Sequence, residues 1–567
     1  MKTKKFLCNV MAMLTVASGC VFAACDPSEN PSGVEEKIDP YRTQLFVGNY
    51  NGGYGDAWLK AAKIRFEEEY KNESFEANKT GVQLIIDNKK EEFKDFDRLS
   101  TSIKESKNAI YFTEDIDYKK LMDANYMLDM SNILDTPLSE YGEAESIYDK
   151  MQDTQKMYYV RNEKCYALPT YNAFFGLIYD VDLFEDYGLY FAANTDNGND
   201  GFVLSKTDTK ANGPDGKPNS YDDGLPATYA DFFKLCDRMQ YAGIMPFIWS
   251  GEYESSYMRQ LAGALWADYE GKEEALKFYS LTGSVEVVDS IDSQGNVTPK
   301  TIDITPANGY EVYAQAGRYY SIQFIEKMVK GGTIERYWHN YSFNLTQSHT
   351  NAQEDYLYSK YETGSKPIAM LADGCWWQSE SDLTFSDVAD AYGQQASKEN
   401  RRFGFMPMPK ATEKQVGEGV TLLDALNAKV FINANISNNE VQKDLAYKFI
   451  RFIHTDKSLS EFQGITNVPK AFDYELASID ASKLTYFGTA INEMKKNSNI
   501  VYEYALNATV EAMDSVGTNL GAYMTTINKL PYSAVAKTFK DNPSITAKQY
   551  FEGIKTSYES NWSKYGG

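Results

Sequence analysis

Histidine is nearly missing. There are three in 567 residues, His339, His349 and His454, with no ligand spacing between them. That argues against a histidine-built metal or catalytic centre. Cysteine is scarce too. Of six, only Cys165, Cys236 and Cys375 lie beyond the first 25 residues, at wide spacings. They make no zinc pattern and are expected as buried free thiols, not as a disulfide frame. Basic residues are outnumbered, 57 Lys and Arg against 80 Asp and Glu, for a formal charge of −23. A chain this acidic repels phosphate backbones, which argues against a nucleic-acid partner. No phosphate loop, GxSxG elbow, HExxH helix or repeat of fixed period appears. Support for catalysis is therefore thin, although acids are numerous enough to supply a glycosidase pair.

What is present is a globular balance of 43% apolar and 24% charged residues, at a length too great for one ordinary core. Flat rings are abundant: 43 Tyr, 30 Phe and 7 Trp. The N-terminus reads as an export signal. Lys2, Lys4 and Lys5 precede an apolar stretch from Phe6 to Ala24 that is marginal for a membrane span. An uncleaved anchor is the rival reading. Small residues precede both Cys20 and Cys25, resembling a lipoprotein box, and lipidation is expected at Cys25, with Cys20 as the alternative. A polar tract from Asp26 to Pro40 then suits a tether.

The body alternates strand and helix. Gln44 to Val47, Val82 to Ile86, Ala109 to Phe112, Phe175 to Tyr179, Ile368 to Ala372 and Val430 to Ile432 read as strands. Leu59, Ala62, Phe66 and Tyr70 recur at helical spacing. So do Tyr229, Phe232, Cys236 and Met239 behind a Thr228 cap, and Val441, Leu445, Phe449 and Phe452. The pattern predicts α/β lobes with largely parallel sheets. Residues 191–227 and 283–303 break the rhythm and read as surface insertions.

Ligands of such sheets sit beyond the strands' C-terminal ends. There the sequence places Asn51 and Tyr54 in a glycine-rich loop, Glu114 and Asp115, Trp249 with Glu252 and Tyr253, and Asp373 with Trp376 and Trp377; Tyr171 and Asn172 stand just ahead of a strand. Rings can cover the weakly apolar faces of a sugar while carboxylates and amides bond its hydroxyls. For any single ring, core packing is the rival reading. The case rests on the recurrence of ring plus polar group after several strands.

With these motifs in view the chain resembles the family 1 extracellular solute-binding proteins of bacterial ABC sugar importers. The likeness spans Gly53 to Leu59, Tyr118 to Asp129, Tyr166 to Asp180, Asp182 to Leu189, Met370 to Trp377, Phe403 to Pro409, Ile432 to Ile436 and Lys443 to Phe449. It implies a two-lobed periplasmic-binding-protein-like fold of class II, with a ligand cleft between lobes joined by a hinge. Residues 1–24 would be the leader and 25–40 the tether. Lobe one would take 41–172 and 425–500, and lobe two 173–424 and 501–567, with crossings near 169–172 and 422–433. By the same resemblance Phe112 and either Trp376 or Trp377 would stack on the sugar, and Asp115 would accept from a hydroxyl. The implied protein is a non-enzymatic, lipid-anchored monomer on the outer face of the cell membrane. It would capture a carbohydrate, expected to be an oligosaccharide, and pass it to permease subunits. A SusD-like surface glycan binder built of helical repeats and an exported glycosidase are the alternatives. No cofactor is expected. Asp215, Asn219, Asp222 and Asp223, gathered around two tight turns, could wrap a structural Ca²⁺, although no EF-hand pattern is met. His349 is expected to cap or pack.

Overall fold

A computed structural model describes residues 36–193, 201–515 and 521–565. Cys20, Cys25 and the leader lie outside the described residues, as does the tether up to residue 35. The elements that position the cleft are, in chain order, β1 (Thr43–Tyr50), α1 (Ala57–Glu69), β2 (Val82–Lys89), β3 (Ile110–Thr113), α2 (Tyr118–Asp123), β4 (Leu168–Pro169), β5 (Phe175–Asp180), α3 (Tyr229–Tyr241), β6 (Met245–Ile248), α4 (Glu254–Ser280), α5 (His349–Tyr358), β7 (Ile368–Gly374), α6 (Trp377–Glu380), β8 (Phe403–Met406), β9 (Val420–Asp424), β10 (Lys429–Ile432), α7 (Glu440–Ile453), α8 (Asp456–Thr466), α9 (Tyr486–Asn497), β11 (Ser498–Tyr502) and α10 (Ala508–Ser515).

Two sheets organise residues 39–567, which form one compact unit. The first runs β2-β1-β3-β10-β4 and the second β8-β5-β7-β6. β5 and β7 are buried at every residue, so the alternation of Phe175, Leu177 and Tyr179 does not mark a solvent face: both faces of the strand are covered. α3 begins where Thr228 and Asp231 form a reciprocal capping box. The predicted strands and helices all appear, within a few residues at their ends.

The sheets are less parallel than the alternation suggests. β1 pairs parallel with β2 and β3, but β10 is antiparallel to β3 and to β4. In the second sheet only β6 and β7 are parallel; β5 is antiparallel to both β7 and β8. The parallel rule comes from helical crossovers within one sheet. Strands that return from the other lobe escape it.

Among the described residues the chain passes between the two sheets at 170–174 and at 424–428. β9 and β11 pair in parallel alongside this passage. The α9 helix lies in the segment expected for lobe one, yet its Phe487 packs against Phe405 and Trp377 of the second lobe. Residues 284–303 form an antiparallel hairpin. The described part of the other insertion is not merely superficial, because Phe202 is buried against Phe191. Cys165, Cys236 and Cys375 are free and buried.

A buried ion pair fastens α4 to β9. The Lys410 ammonium donates to both oxygens of Asp268 at 3.0 Å and to the Gly419 carbonyl, while the Thr421 N–H donates to the same carboxylate. Both side chains are almost fully enclosed. Lys410→Met would strand the Asp268 charge, a loss of about 3–5 kcal/mol. Urea unfolding should therefore show a lower midpoint for Lys410→Met than for the parent, and the double variant Lys410→Met/Asp268→Leu should recover much of the difference.

Candidate functional site

A cleft of about 280 Å³ opens between the sheets. One wall is built at the C-terminal ends of first-sheet strands: Tyr50 and Gly53 after β1, Lys90 and Lys94 after β2, and Glu114 and Asp115 after β3. Tyr171 and Leu426 join from the crossings. The other wall comes from the start of α4 (Tyr253, Tyr257, Arg259), from His349 at the head of α5, and from Trp376 and Glu380 after β7.

Asp115 is held in the left-handed backbone region at φ 54°, with its N–H bonded to the Leu426 carbonyl at 3.1 Å. Asp tolerates that conformation better than most residues. Its carboxylate reaches the cleft and accepts no hydrogen bond among the described residues. Beneath it Lys429 is fully buried, donating to the carbonyls of Ile116 and Asn427 at 2.5 and 2.8 Å. Burial brings the Lys429 ammonium down to about 8, against the pull of Asp115. Glu114 is pushed up to about 8 by burial, despite a hydrogen bond with the Tyr50 hydroxyl.

The opposite wall carries a linked set. Glu380 lies 3.1 Å from His349 Nε2 and accepts from Gln353 at 2.8 Å, and the same amide donates to Asp373 at 3.0 Å. Burial alone would raise Glu380, but the hydrogen bond and charge of His349 hold it below the usual carboxylate range. His349 is raised in turn by Glu380, against its burial. Asp373 goes up to about 7 through burial and the neighbouring Glu380 charge.

The structure separates the two adjacent tryptophans. Trp376 is half-buried, and a methyl group added at Gly53 would meet its ring at 2.6 Å, so only glycine allows the two walls to come this close. Trp377 points the other way, fully buried among Tyr356, Phe385, Phe403 and Phe487. Trp249 is likewise sealed, against Trp338 and Phe343. Both therefore belong to the core and not to the cleft. Phe112 is buried against Trp58, and Tyr54 lies edge-on behind Tyr171 at 4.4 Å. Asn51 is buried behind the lining, and Asn172 is buried at the hinge, bonded to Asp424. Asp373 supports Gln353 from below the surface, and Glu252 is exposed beside the cleft without lining it. Of the expected residues, Glu114, Asp115, Tyr171, Tyr253 and Trp376 come together in the lining.

No family model matches the chain, and no curated protein matches it. Among solved structures it is similar to a chitin oligosaccharide binding protein, with TM-score 0.52 and 15% identity over 92% of this chain and 99% of that one. It is also similar to a maltose-bound MalE3 of T. maritima, with TM-score 0.51 and 13% identity over 91% and 99%. A structure from work on xylan utilization by Caldanaerobius polysaccharolyticus gives TM-score 0.52 and 13% identity over 91% and 99%. The fold is that of a two-lobed solute-binding protein.

Sequence reading missed several lining groups. Tyr257 follows Tyr253 by one helical turn, a spacing that puts both rings on one face of α4. Glu380 follows Trp376 by the same interval. His349 is not merely a packing residue. Ser348 is the cap of α5, and His349 lines the cleft as the partner of Glu380.

At the calcium candidate the loop is closed on itself. Asp222 is buried and accepts from the Asp215 N–H and the Ser220 hydroxyl, and Asp223 accepts from the Asn219 N–H. Among the described residues no group of three or more His, Cys, Asp or Glu side chains stands together as a metal site.

The His349–Glu380 pair makes stability depend on pH. A raised histidine contributes fully below its ordinary value of 6.5, and the contribution is lost as pH rises through its folded value. The lowered Glu380 contributes above its ordinary 4.5 and is lost as pH falls. The stability difference between the parent and His349→Gln should thus be largest between about pH 5 and 6.5, of order 1 kcal/mol, and should shrink by pH 9. Thermal melts across that range measure it.

Proposed function

We propose that the protein is an exported, lipid-anchored receptor that captures an oligosaccharide in this cleft and delivers it to an ABC importer. The observation that supports this most is the pairing of a half-buried Trp376 and the Tyr253–Tyr257 face with an unpaired carboxylate, Asp115, on the opposite wall. A sugar presents the complementary chemistry, CH faces for rings and hydroxyl donors for the carboxylate. The solved structures of like fold include a chitin oligosaccharide binder and a maltose complex, in keeping with this reading. A helical-repeat glycan binder is set aside by the two mixed sheets.

Binding without chemistry requires that the guest favour the closed state over the open one. Gly53 against Trp376 is a closure contact, and the lobes also meet where Ser379 donates to the Thr466 carbonyl and Thr485 to Gln378, each at 2.6 Å. The permease would read that closed form. Lipidation at Cys25 would keep the receptor at the membrane surface. No helix among the described residues is long and apolar enough to cross a membrane.

A second reading uses the same groups for hydrolysis. Glu114 is raised and Glu380 lowered on opposite walls, the kind of divergence an acid–base pair shows. Incubation with oligosaccharides followed by a reducing-end assay distinguishes the two, and no release is expected.

Calorimetry of the protein against malto-, xylo- and chito-oligosaccharides should find a binder. Trp376→Ala should weaken it by about 2 kcal/mol or more, roughly 30-fold. Silence across glucans, mannans, xylans, fructans and galactosides would end the carbohydrate reading. Gly53→Ala should also weaken binding, through obstructed closure, and small-angle scattering with ligand should show a more open particle than the parent.

A further inference from the structure

Lys429 is the first residue of β10, and its backbone stands opposite Thr113 at the end of β3 and opposite Pro169 at the end of β4. The loop that carries Glu114 and Asp115, the first crossing and the second crossing therefore all leave the first sheet beside it. The residue is 0% exposed, and its ammonium donates to the Ile116 carbonyl at 2.5 Å and to the Asn427 carbonyl at 2.8 Å. One bond holds the loop of Asp115 and the other holds the second crossing. The Asp115 N–H on the Leu426 carbonyl fastens the same two segments again.

Two carbonyls do not call for a charge. Just past the end of β10 the buried Asn433 amide bonds the carbonyls of Ile103 and Asn108 at 3.2 and 3.0 Å. A neutral amide thus does the same work four residues away, and an enclosed ammonium costs more than an amide unless its charge is used. Among the described residues Lys429 makes no ion pair. Its charge is met at longer range by Asp115, Asp117 and Glu114. Two of these have bonds of their own: Asp117 accepts from the N–H groups of Lys119 and Lys120 at the head of α2, and Glu114 is bonded to the Tyr50 hydroxyl. Asp115 accepts none among the described residues and faces the cleft. Loss of water around it raises its carboxyl, and Arg259 of α4 and Lys429 pull it back down. Glu114 lies beside it, and Glu503, the 3.3 Å partner of Arg259, acts on it from the segment after β11.

We propose that Lys429 is a positioning residue for capture: its buried ammonium pins the Ile116 carbonyl and presents Asp115, as a charged acceptor, to the hydroxyls of the guest. The proposal rests on the sugar-binding reading above, in which Asp115 is the acceptor on the first wall.

The first test needs no ligand. The full-length parent and Lys429→Gln are treated with a water-soluble carbodiimide and glycine ethyl ester between pH 4 and 7, and modified Asp115 is quantified by peptide mass spectrometry. The reagent activates the protonated carboxyl. Loss of the ammonium should move the Asp115 profile to higher pH by about half a pH unit or more, while the exposed Asp153 labels alike in both proteins. Should circular dichroism show Lys429→Gln unfolded, Lys429→Met takes its place under the same expectation. The second test is calorimetry with malto-, xylo- and chito-oligosaccharides. In the series that binds, Lys429→Gln should weaken affinity about fivefold at pH 7 and more at about pH 5.5, and on an Asp115→Asn background the same change should cost less than about twofold. An unmoved Asp115 profile, or a loss of equal size with and without the Asp115 carboxylate, overturns the assignment and leaves the receptor reading standing. If no series binds, the receptor reading fails, and the role of Lys429 in capture falls with it whatever the labelling shows.

Discussion

Both crossings between the sheets, and the end of β11, are tied to one residue, Asp424. Its carboxylate accepts from the Asn172 side chain at 2.9 Å and from the Ala173 N–H at 3.3 Å, both on the first crossing. Its carbonyl accepts from the Glu503 N–H at 3.0 Å just after β11, and it is itself the last residue of the strand that leads into the second crossing. Asp424 is buried, and burial pushes its carboxyl up to about 6, with the donors of Asn172 and Ala173 pulling the other way. A buried carboxylate is tolerable only while its donors stay in place. The hinge therefore cannot drift in register without stranding a charge. Thr170 N–H to the Ala428 carbonyl, Ala425 N–H to the Ala173 carbonyl and the five-residue pairing of β9 with β11 hold the same segments together on either side of Asp424. The positions of Tyr171, Leu426 and Arg259, the last through Glu503, all follow from that knot.

Each wall of the cleft is held by contacts of its own. On the first wall Asp115 is fixed by its backbone bond to Leu426 and stands over the buried Lys429. On the second, Glu380 is fixed by His349 and Gln353. Neither arrangement needs the other lobe for its geometry. The walls meet at Gly53 and Trp376, where the absence of a side chain on one partner sets how near they come. A guest with hydroxyls around its rim bonds fixed groups on both walls and so favours closure. A purely apolar guest would leave Asp115 desolvated and unpaired.

The fold was largely legible because burial leaves a periodic trace. β5 and β7 are covered on both faces and are mostly apolar, and α3 and α7 carry their caps in the sequence. The direction of β10 was not legible, since it follows from a return across the hinge and not from any local pattern. The site was half legible. Chain position placed Glu114, Asp115, Tyr171, Tyr253 and Trp376 at strand ends, and these do line the cleft. It could not tell which side of a turn a ring takes. Trp376 and Trp377 have the same chemistry and are adjacent, yet the onset of α6 turns one to the cleft and the other into the core. Trp249 closes β6 much as Trp376 follows β7, but Trp338 and Phe343 arrive from a distant segment to cover it.

His349 shows the limit most sharply. Alone in the sequence it has no motif, and its neighbour Ser348 supplies the cap that a local reading would assign to the pair. Its role comes from Glu380, 31 positions away, which reaches it only because β7 and α6 place that carboxylate at the cleft wall. The same contact also spares the cleft a conflict. Glu380 and Asp373 share Gln353, and two buried carboxylates on one amide repel each other. The imidazolium offsets that repulsion by favouring charge on Glu380, which leaves Asp373 as the member driven toward the neutral form. On this wall charge is thus concentrated on Glu380, which His349 and Gln353 hold in place, while across the gap Asp115 keeps a carboxylate that no side chain among the described residues bonds.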